Sequence, residues 1–134
     1  MRKYHLFIIR SDFKESYYKN SKVLYQTLFN LYKLKSEDCR IGVSIFHQIC
    51  NLFNPDLLIN YIKEKYKLKS KKNHYFLINN EERTFVNFNY SCTIIYTNKN
   101  IPFIFKILYL YNKNVFIVDF ENEDYFWLRK ETFK

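Results

Sequence analysis

Two aromatic residues near the N-terminus, Phe13 and Tyr17, have the type and spacing that best suit a contact surface. Residues four apart on a helix lie on one face, so the two rings share a surface. Tyr18 points toward a neighbouring face. On pattern alone, the pair is more typical of packing on a sheet than of binding a partner. The helix is short, however, so we expect at least one of the three rings to be exposed, as interface hot spots often are.

Side chains that could perform catalysis or bind a metal are few. Gly42 is the single glycine of the chain, and P-loops, dinucleotide-binding turns and nucleophile elbows all need glycines, so these sites are excluded. His47 and Cys50 lie three residues apart on a predicted helix and could face one metal ion. A zinc site needs further ligands, which the neighbouring sequence does not supply. We therefore expect no catalytic residue, no metal, no cofactor and no small-molecule substrate.

Two charged segments favour structural roles over ligand binding. The acidic run within residues 119–124 lacks the glycine and the ligand spacing of a calcium loop, so it predicts a hairpin turn. The lysine-rich stretch 63–72 could contact phosphate groups, with Tyr61 and Tyr66 available to stack on bases. It is predicted to lie at a helix end and in a loop, where lysine side chains are usually solvated. Direct binding of nucleic acid through this Lys-rich face is the alternative function, and the less favoured one.

The formal net charge is +9, from 22 Lys and Arg residues against 13 Asp and Glu residues. Such a charge is the usual electrostatic footprint of a nucleic-acid partner. The chain is also rich in Lys, Asn, Ile, Phe and Tyr and contains no Ala, which is the amino-acid usage expected from an AT-rich genome. Composition therefore explains the charge better than a nucleic-acid partner does.

The cysteines and the apolar segments indicate the compartment. The three cysteines are odd in number and none has C-x-x-C spacing, so they form neither a disulfide framework nor a zinc ribbon. The longest apolar stretch, residues 101–111, is interrupted by Lys106 and is about half as long as a bilayer span requires. We expect reduced thiols, no membrane partner and a cytoplasmic protein.

The N-terminal third of the chain predicts one strand and two helices. Residues 3–10 are rich in β-forming side chains and bounded by charge, which predicts a central strand. Asp12 is followed three residues later by a glutamate, a pattern that predicts the cap of a short helix over residues 13–19. Ser21 is expected to cap a longer helix over residues 21–33. The apolar stripe of that helix, which we expect to be buried, is Leu24, Leu28, Leu31 and Tyr32.

The rest of the chain predicts further helices and then strands. After a loop over residues 35–40, we expect a helix over residues 44–53 capped by Ser44. Pro55 then begins another helix. The predicted strands form two hairpins, residues 74–79 with 84–89 and residues 115–120 with 125–128. Between them, residues 92–96 continue the sheet or form an irregular connection, and a helix over 100–111 follows.

This order of elements favours a single α+β domain over residues 1–134, with helices packed on one mostly antiparallel sheet. Helices cluster early and strands cluster late, with one strand at the start and one helix near the end. A chain of this length needs no disulfide or metal to stabilise its core.

The sequence resembles the sporulation inhibitor of replication family at both ends. Near the N-terminus, the family pattern is an aromatic-rich strand, then F-x-x-x-Y on one helix and L-F-x-x-Y on the next. Here those positions are Phe13, Tyr17, Leu28, Phe29 and Tyr32. The family's D-F-x-x-x-x-Y-x-W-L segment is matched near the C-terminus by Asp119, Phe120, Tyr125, Trp127 and Leu128. Arg129 and Lys130 follow, where the family tends to have Asn-Pro.

The resemblance implies a protein that endospore-forming bacteria make on entry into sporulation. It implies binding to the N-terminal domain of the replication initiator DnaA, which prevents initiation at the chromosomal origin by occlusion and without enzymatic activity. On this resemblance, the partner-binding residues are Phe13 and Tyr17, which insert their rings into a groove of the partner. Gln48, a weaker match in the middle of the chain, contributes a polar contact.

Overall fold

The computed structural model describes residues 1–34, 39–54, 56–57, 59–60, 69–71, 74–78, 81–88 and 92–133. Its helices are α1 (Ser11–Lys19), α2 (Ser21–Tyr32), α3 (Cys39–Ile49) and α4 (Ile104–Tyr111), and a 3-10 helix spans Lys130–Phe133. Its strands are β1 (Arg2–Ile9), β2 (Cys50–Asn51), β3 (Lys69–Lys71), β4 (His74–Ile78), β5 (Arg83–Phe88), β6 (Thr93–Thr97), β7 (Val115–Asp119) and β8 (Asp124–Trp127). The predicted α+β class is confirmed.

The strands form one sheet in the order β3-β4-β5-β6-β1-β7-β8, and every neighbouring pair is antiparallel. β1 is central, as predicted: β6 pairs with residues 2–6 and β7 with residues 5–8. β2 pairs with the end of β1, with Ile9 opposite Cys50. Because β7 occupies one edge of β1, β2 lies on the same edge as β6, beyond its end.

Alternate side chains of β1 enter two separate cores, one on each face of the sheet. Tyr4, Leu6 and Ile8 lie in the first core, which α4 covers. Phe7 and Ile9 lie in the second core, which α2 covers. A strand buried on both faces needs apolar side chains at almost every position, which explains the apolar run from Leu6 to Ile9.

The two helical layers differ in how much they bury. α4 buries four apolar side chains in the first core: Ile104, Phe105, Ile107 and Leu108. On the opposite face, α2 buries Leu24 and Leu28, while α1 buries no residue at all. Each fully buried leucine stabilises the fold by about 1.5–3 kcal/mol. The packing of α2 and α4 on the sheet is therefore stabilised by buried apolar side chains, whereas α1 lies on the outside of the second core.

The predicted cap of α1 at Asp12 is wrong, because the helix begins two residues earlier, after Arg10. The backbone N–H of Arg10 donates to the carbonyl oxygen of Ile49 at 2.9 Å, which continues the pairing of β2 with β1. The carbonyl oxygen of Arg10 then accepts the N–H of Phe13 at 3.0 Å. The sheet edge therefore fixes the first turn, and the carboxylate of Asp12 makes only an exposed ion pair with Arg10 at 3.6 Å.

Ser21 does not cap α2 as predicted; it is the first residue of the helix, and Asn20, the N-cap residue, makes no side-chain cap bond. A single residue separates α1 from α2, so the Ser21 hydroxyl meets the end of α1 and donates to the carbonyl oxygen of Tyr17 at 3.4 Å. It accepts the indole N–H of Trp127 at 3.0 Å. The serine joins two helices and a strand instead of capping one helix.

The predicted buried stripe of α2 is confirmed at Leu24 and Leu28, and Leu31 is partly buried against the same core. Tyr32, predicted to be buried, is 52% exposed. Its ring lies parallel to that of Phe120, with the ring centroids 4.4 Å apart. Tyr32 therefore covers the edge of the second core with one face and shows the other to solvent.

The middle of the chain departs most from its prediction. α3 ends at Ile49, and the predicted cap Ser44 is an exposed residue within the helix. Residues 50–51 form β2 instead of continuing the helix, because Cys50 is buried and its backbone pairs with β1. Residues 39–40 of the predicted loop belong to α3, and residues 35–38 lie outside the described residues. The helix predicted after Pro55 and the lysine-rich stretch lie largely outside them as well, but the described residues 69–71 of that stretch form β3 instead of the predicted loop, because they pair with β4.

The C-terminal half agrees with its prediction. Both hairpins are present, as β4 with β5 and β7 with β8, and β6 continues the sheet. α4 begins later than predicted, at Ile104, because residues before it form a turn. The buried carboxylate of Glu82 accepts the backbone N–H of Phe103 at 3.0 Å and the hydroxyl of Thr84 at 2.8 Å. A strand-end carboxylate thus holds the start of α4 on the sheet.

Candidate protein-binding surface

The aromatic residues of α1 are exposed to different degrees. Phe13 is 37% exposed and Tyr18 is 41% exposed. Tyr17 is partly buried and packs against the second core. The prediction that at least one of the three rings is exposed is confirmed. Of the two alternatives for the pair, packing on the sheet and exposure at the surface, Tyr17 follows the first and Phe13 the second.

Phe13 and Tyr17 contact each other, as their spacing predicts. Their ring centroids are 6.3 Å apart and their planes are inclined by 41°. Tyr17 is held by the core beneath it, so it supports Phe13 from one side. A ring that is held before binding loses less conformational entropy when a partner covers it. The pair is therefore a partly ordered apolar patch and not two freely moving side chains.

Gln48 lies in the last turn of α3 with an exposed side chain. Both of its sequence neighbours bond to Arg10, the residue that precedes α1. The carbonyl oxygen of His47 accepts from the guanidinium of Arg10 at 3.4 Å, and that of Ile49 accepts the Arg10 backbone N–H at 2.9 Å. Arg10 therefore joins the end of α3 to the start of α1. We call Phe13, Tyr17 and Gln48 the α1–α3 surface; their role in binding stays a prediction.

Tyr18 belongs to a different surface from Phe13. Its ring lies 5.8 Å from that of Trp127, and the guanidinium of Arg129 lies 4.4 Å from its centroid. These contacts place it toward β8 and the C-terminal 3-10 helix, on the side of α1 away from the α1–α3 surface. The sequence patterns did not predict this second surface. The one signal for it was the basic pair Arg129 and Lys130 directly after the Trp-Leu motif.

His47 and Cys50 do not share a face, because His47 is exposed and Cys50 is buried. Burial, with a smaller effect from neighbouring Cys92, raises the pKa of the Cys50 thiol to about 12. Metal binding and nucleophilic attack both need the thiolate, so this environment disfavours both. Within the described part of the chain, no three His, Cys, Asp or Glu residues are grouped so as to hold a metal ion.

The turn between β7 and β8 is organised by the buried carboxylate of Asp119. It accepts the side-chain N–H of Asn122 at 2.7 Å and Nε of Arg2 at 3.1 Å. Burial alone raises the pKa of Asp119, but the hydrogen bonds from Asn122 and Arg2 outweigh it and hold the pKa below its ordinary value of 3.8. The acidic run predicted as a hairpin turn is therefore a structural site that fastens β1 to the last hairpin.

These features define a small α+β protein whose most prominent candidate site is an exposed aromatic patch on a helix. Residues 2–131 match the family described as Sporulation inhibitor of replication protein SirA, and the chain belongs to this family. The resemblance at both ends of the sequence is confirmed, and it extends through the middle of the chain. The family assigns the protein to the inhibition of replication during sporulation.

No curated protein matches the chain. Among the helices that the structure describes, none combines the length and the apolar character of a membrane span.

Proposed function

We propose that the protein inhibits the start of chromosomal replication by binding the N-terminal domain of the initiator DnaA through the α1–α3 surface. Family membership supports the inhibition of replication. The observation that supports this surface is the exposure of Phe13 on a helix that buries none of its residues. A helix whose side chains are not committed to the core can contribute them to an interface.

Each of the three residues has a different role in binding. Phe13 enters an apolar groove of the partner and supplies most of the affinity, because buried aromatic anchors dominate interfaces. Tyr17 is fixed by the second core and keeps Phe13 in its bound orientation. The exposed amide of Gln48 donates and accepts hydrogen bonds, which fixes how the partner is oriented.

We further propose that inhibition follows from occupancy and not from catalysis. One molecule then blocks one initiator domain, so inhibition saturates when the two proteins reach equal concentrations. An enzyme would inactivate many initiator molecules per copy. Titration of replication initiation against the amount of this protein separates the two.

The test is calorimetric titration of the purified initiator domain with Phe13→Ala. We expect a loss of about 2 kcal/mol or more, which is roughly 30-fold in Kd. Phe103→Ala is the matched control, since Phe103 is the same residue type, is 41% exposed and lies at the start of α4 on the opposite face of the sheet. We expect it to bind as the unaltered protein does.

Unchanged affinity of a folded Phe13→Ala variant would contradict the assignment of the surface. A protein that bound origin DNA tightly without the initiator, with affinity falling steeply as salt is raised, would contradict the proposed mechanism. Circular dichroism of each variant shows whether it is folded.

A further inference from the structure

A cleft of about 450 Å³ lies beside α1, bounded by the end of α4 and by the C-terminal 3-10 helix. Four cationic side chains line it: Lys14, Lys113, Arg129 and Lys130. Glu131 is the one acidic side chain in its lining, so the local formal charge is four minus one, or +3. We call this feature the cationic cleft.

Three of the four cations of the cleft contact an aromatic ring or a carbonyl group, and none of the three pairs with a carboxylate. Lys14 Nζ donates to the carbonyl oxygen of Lys113 at 3.0 Å. The ammonium of Lys113 lies 3.6 Å from the ring centroid of Tyr109, and Arg129 lies over Tyr18. Such contacts orient a cation without neutralising it.

Cationic side chains outside the cleft do form ion pairs with carboxylates. In the part of the chain that the structure describes, the ion pairs are made by Arg2 and Arg10. None of the four cleft cations takes part in these pairs, so the formal charge of +3 in the lining of the cleft is not cancelled by ion pairing. Mutual repulsion disfavours such an arrangement, and an anion placed among the four relieves it.

The aromatic rings of the cleft argue against a nucleic acid as the anion. Binding of single strands depends on bases stacking on open ring faces. Here a cation covers one face of Tyr18 and one face of Tyr109. The other contacts of these rings are with Trp127 at 5.8 Å and Phe133 at 5.8 Å. Carboxylates need no stacking face, and they pair with guanidinium and ammonium groups.

The position of the cleft points to a protein as the source of the carboxylates. Lys14 follows Phe13 directly in α1, and Tyr18 follows Tyr17, so the cleft and the α1–α3 surface are two sides of one short helix. A helix with its side chains is only about 10–12 Å across, so a partner that wraps around α1 can contact both sides. We propose that the cationic cleft binds an acidic segment of the same protein partner, an inference that rests on the proposed function.

The second contact would act mainly on recognition. Complementary charge raises the association rate and rejects partners with basic surfaces more than it adds affinity. Two linked contacts also hold a partner longer than either alone. The apolar α1–α3 surface would supply the anchor, and the cationic cleft would set the orientation.

Trp127 lines the cleft and is the one tryptophan of the chain. Its ring is buried but lies 5.8 Å from that of Tyr18, over which Arg129 lies, so its fluorescence should respond when a ligand shifts these two side chains. The probe is a short peptide of alternating glutamate and glycine, titrated at physiological salt. Its control is the same peptide with glutamine in place of glutamate. We expect a saturable change in fluorescence with the glutamate peptide only. An equal response to the glutamine peptide would overturn the proposal.

The variants locate the binding. Lys14→Gln combined with Arg129→Gln should weaken the glutamate peptide about tenfold, the loss expected from two charge-assisted contacts. Lys106→Gln, an exposed lysine of α4 outside the cleft, should have no effect. If the double variant does not fold, Lys130→Gln, which changes an exposed cleft cation, replaces it. Equal weakening by Lys106→Gln would show diffuse attraction and overturn the site.

Two competitors test the chemical class of the ligand. Oligothymidylate that binds more tightly than the glutamate peptide would make this a nucleic-acid site, and inorganic phosphate that displaces the peptide at equal concentration would make it a general anion site. Either result overturns the proposal. Phe13→Ala should leave peptide binding unchanged, so failure of the initiator test and failure of the cleft test are distinguishable.

Discussion

The indole N–H of Trp127 donates to the hydroxyl of Ser21 across 3.0 Å and ties the last strand to the start of α2. The tryptophan ring is buried in the second core, 5.0 Å from that of Phe116. The Ser21 hydroxyl in turn bonds to the carbonyl oxygen of Tyr17. This chain of contacts sets the angle at which α1 leaves α2, and thus where its aromatic residues lie.

Removing this bond should destabilise the protein through the indole left unpaired. Ser21→Ala should lower the free energy of unfolding by about 1–2 kcal/mol, because a buried donor loses its acceptor. In a Trp127→Phe background the same change should cost clearly less. Urea unfolding of the two single variants and the double variant measures the coupling. Equal cost of Ser21→Ala in both backgrounds would show that the bond contributes nothing.

Substitution of Tyr17 by alanine should destabilise the protein more than substitution of Phe13 does. Phe13→Ala should change the free energy of unfolding by about 0.5 kcal/mol or less, since the ring is at the surface of a helix. Tyr17→Ala should lower it by about 1–2 kcal/mol, because the ring packs on the second core. Thermal unfolding of both variants tests this. A larger loss for Phe13→Ala than for Tyr17→Ala would mean that Phe13 is part of the core.

His5 should make the protein less stable in mild acid. It is buried between Tyr32 and Phe120, with ring centroids 5.2 and 5.0 Å away. Burial, and then the charge of Lys3, lowers the pKa of His5 from 6.5 to about 4. The unfolded chain therefore binds more protons between these two values, and stability should fall by on the order of 3 kcal/mol as pH drops from about 6.5 to about 4.

Denaturant unfolding across this pH range tests the effect of His5. The fall in the free energy of unfolding with decreasing pH should become smaller in His5→Leu. It should persist in His47→Leu, which changes an exposed histidine. An unchanged slope in His5→Leu would assign the pH dependence to other groups.

Asp119 and Asp124 bond to the same guanidinium but should differ in importance. The side chain of Asp119 is fully buried, whereas that of Asp124 is 49% exposed. Asp119→Asn leaves Arg2 without its buried partner and should cost about 2–3 kcal/mol, while Asp124→Asn should cost less than about 1 kcal/mol. Urea unfolding at neutral pH measures both. Equal losses would show that burial of the ion pair does not matter.

Asp119 should also make the protein less stable as pH falls, but for a different reason from His5: hydrogen bonds stabilise its charged form, whereas burial destabilises the charged form of His5. Its pKa is lowered in the folded protein from 3.8. The stability it confers is complete above the pKa of the unfolded chain and is lost as pH falls through the folded value. This loss begins where that of His5 ends, so Asp119→Asn should flatten only the most acidic part of the profile.

The sequence predicted β1, the two hairpins and the class of fold well, because their signals are local, but it did not predict the short strands β2 and β3. The apolar run of β1 and the polar turns of the two hairpins depend on residues that are adjacent in the chain. The helix boundaries near Arg10 and Ile49 were wrong, because backbone pairing between residues far apart in sequence ends one helix and begins the other. The partial exposure of Tyr32 was likewise unpredictable without the position of Phe120.

The candidate surface was predictable only in part. The spacing of Phe13 and Tyr17 predicted that the rings meet, and they do. It could not predict which ring the core would hold, since that depends on the tilt of α1 over the sheet. The cationic cleft gathers Lys14, Lys113 and Arg129 from three distant segments, so the sequence could indicate only the part of it that Arg129 and Lys130 form.

The central place of β1 separates the order of synthesis from the order of folding. β1 is synthesised before its partners on the two sides, β6 and β7, which come much later in the sequence. The nascent apolar strand must therefore wait for residue 118 before both of its edges are paired. Contacts of such long range slow folding, to milliseconds or seconds in sheet-rich domains. A truncated chain that lacked β7 and β8 would carry α1 without the core on which it rests, so the inhibitor should become active only once β8 has been synthesised.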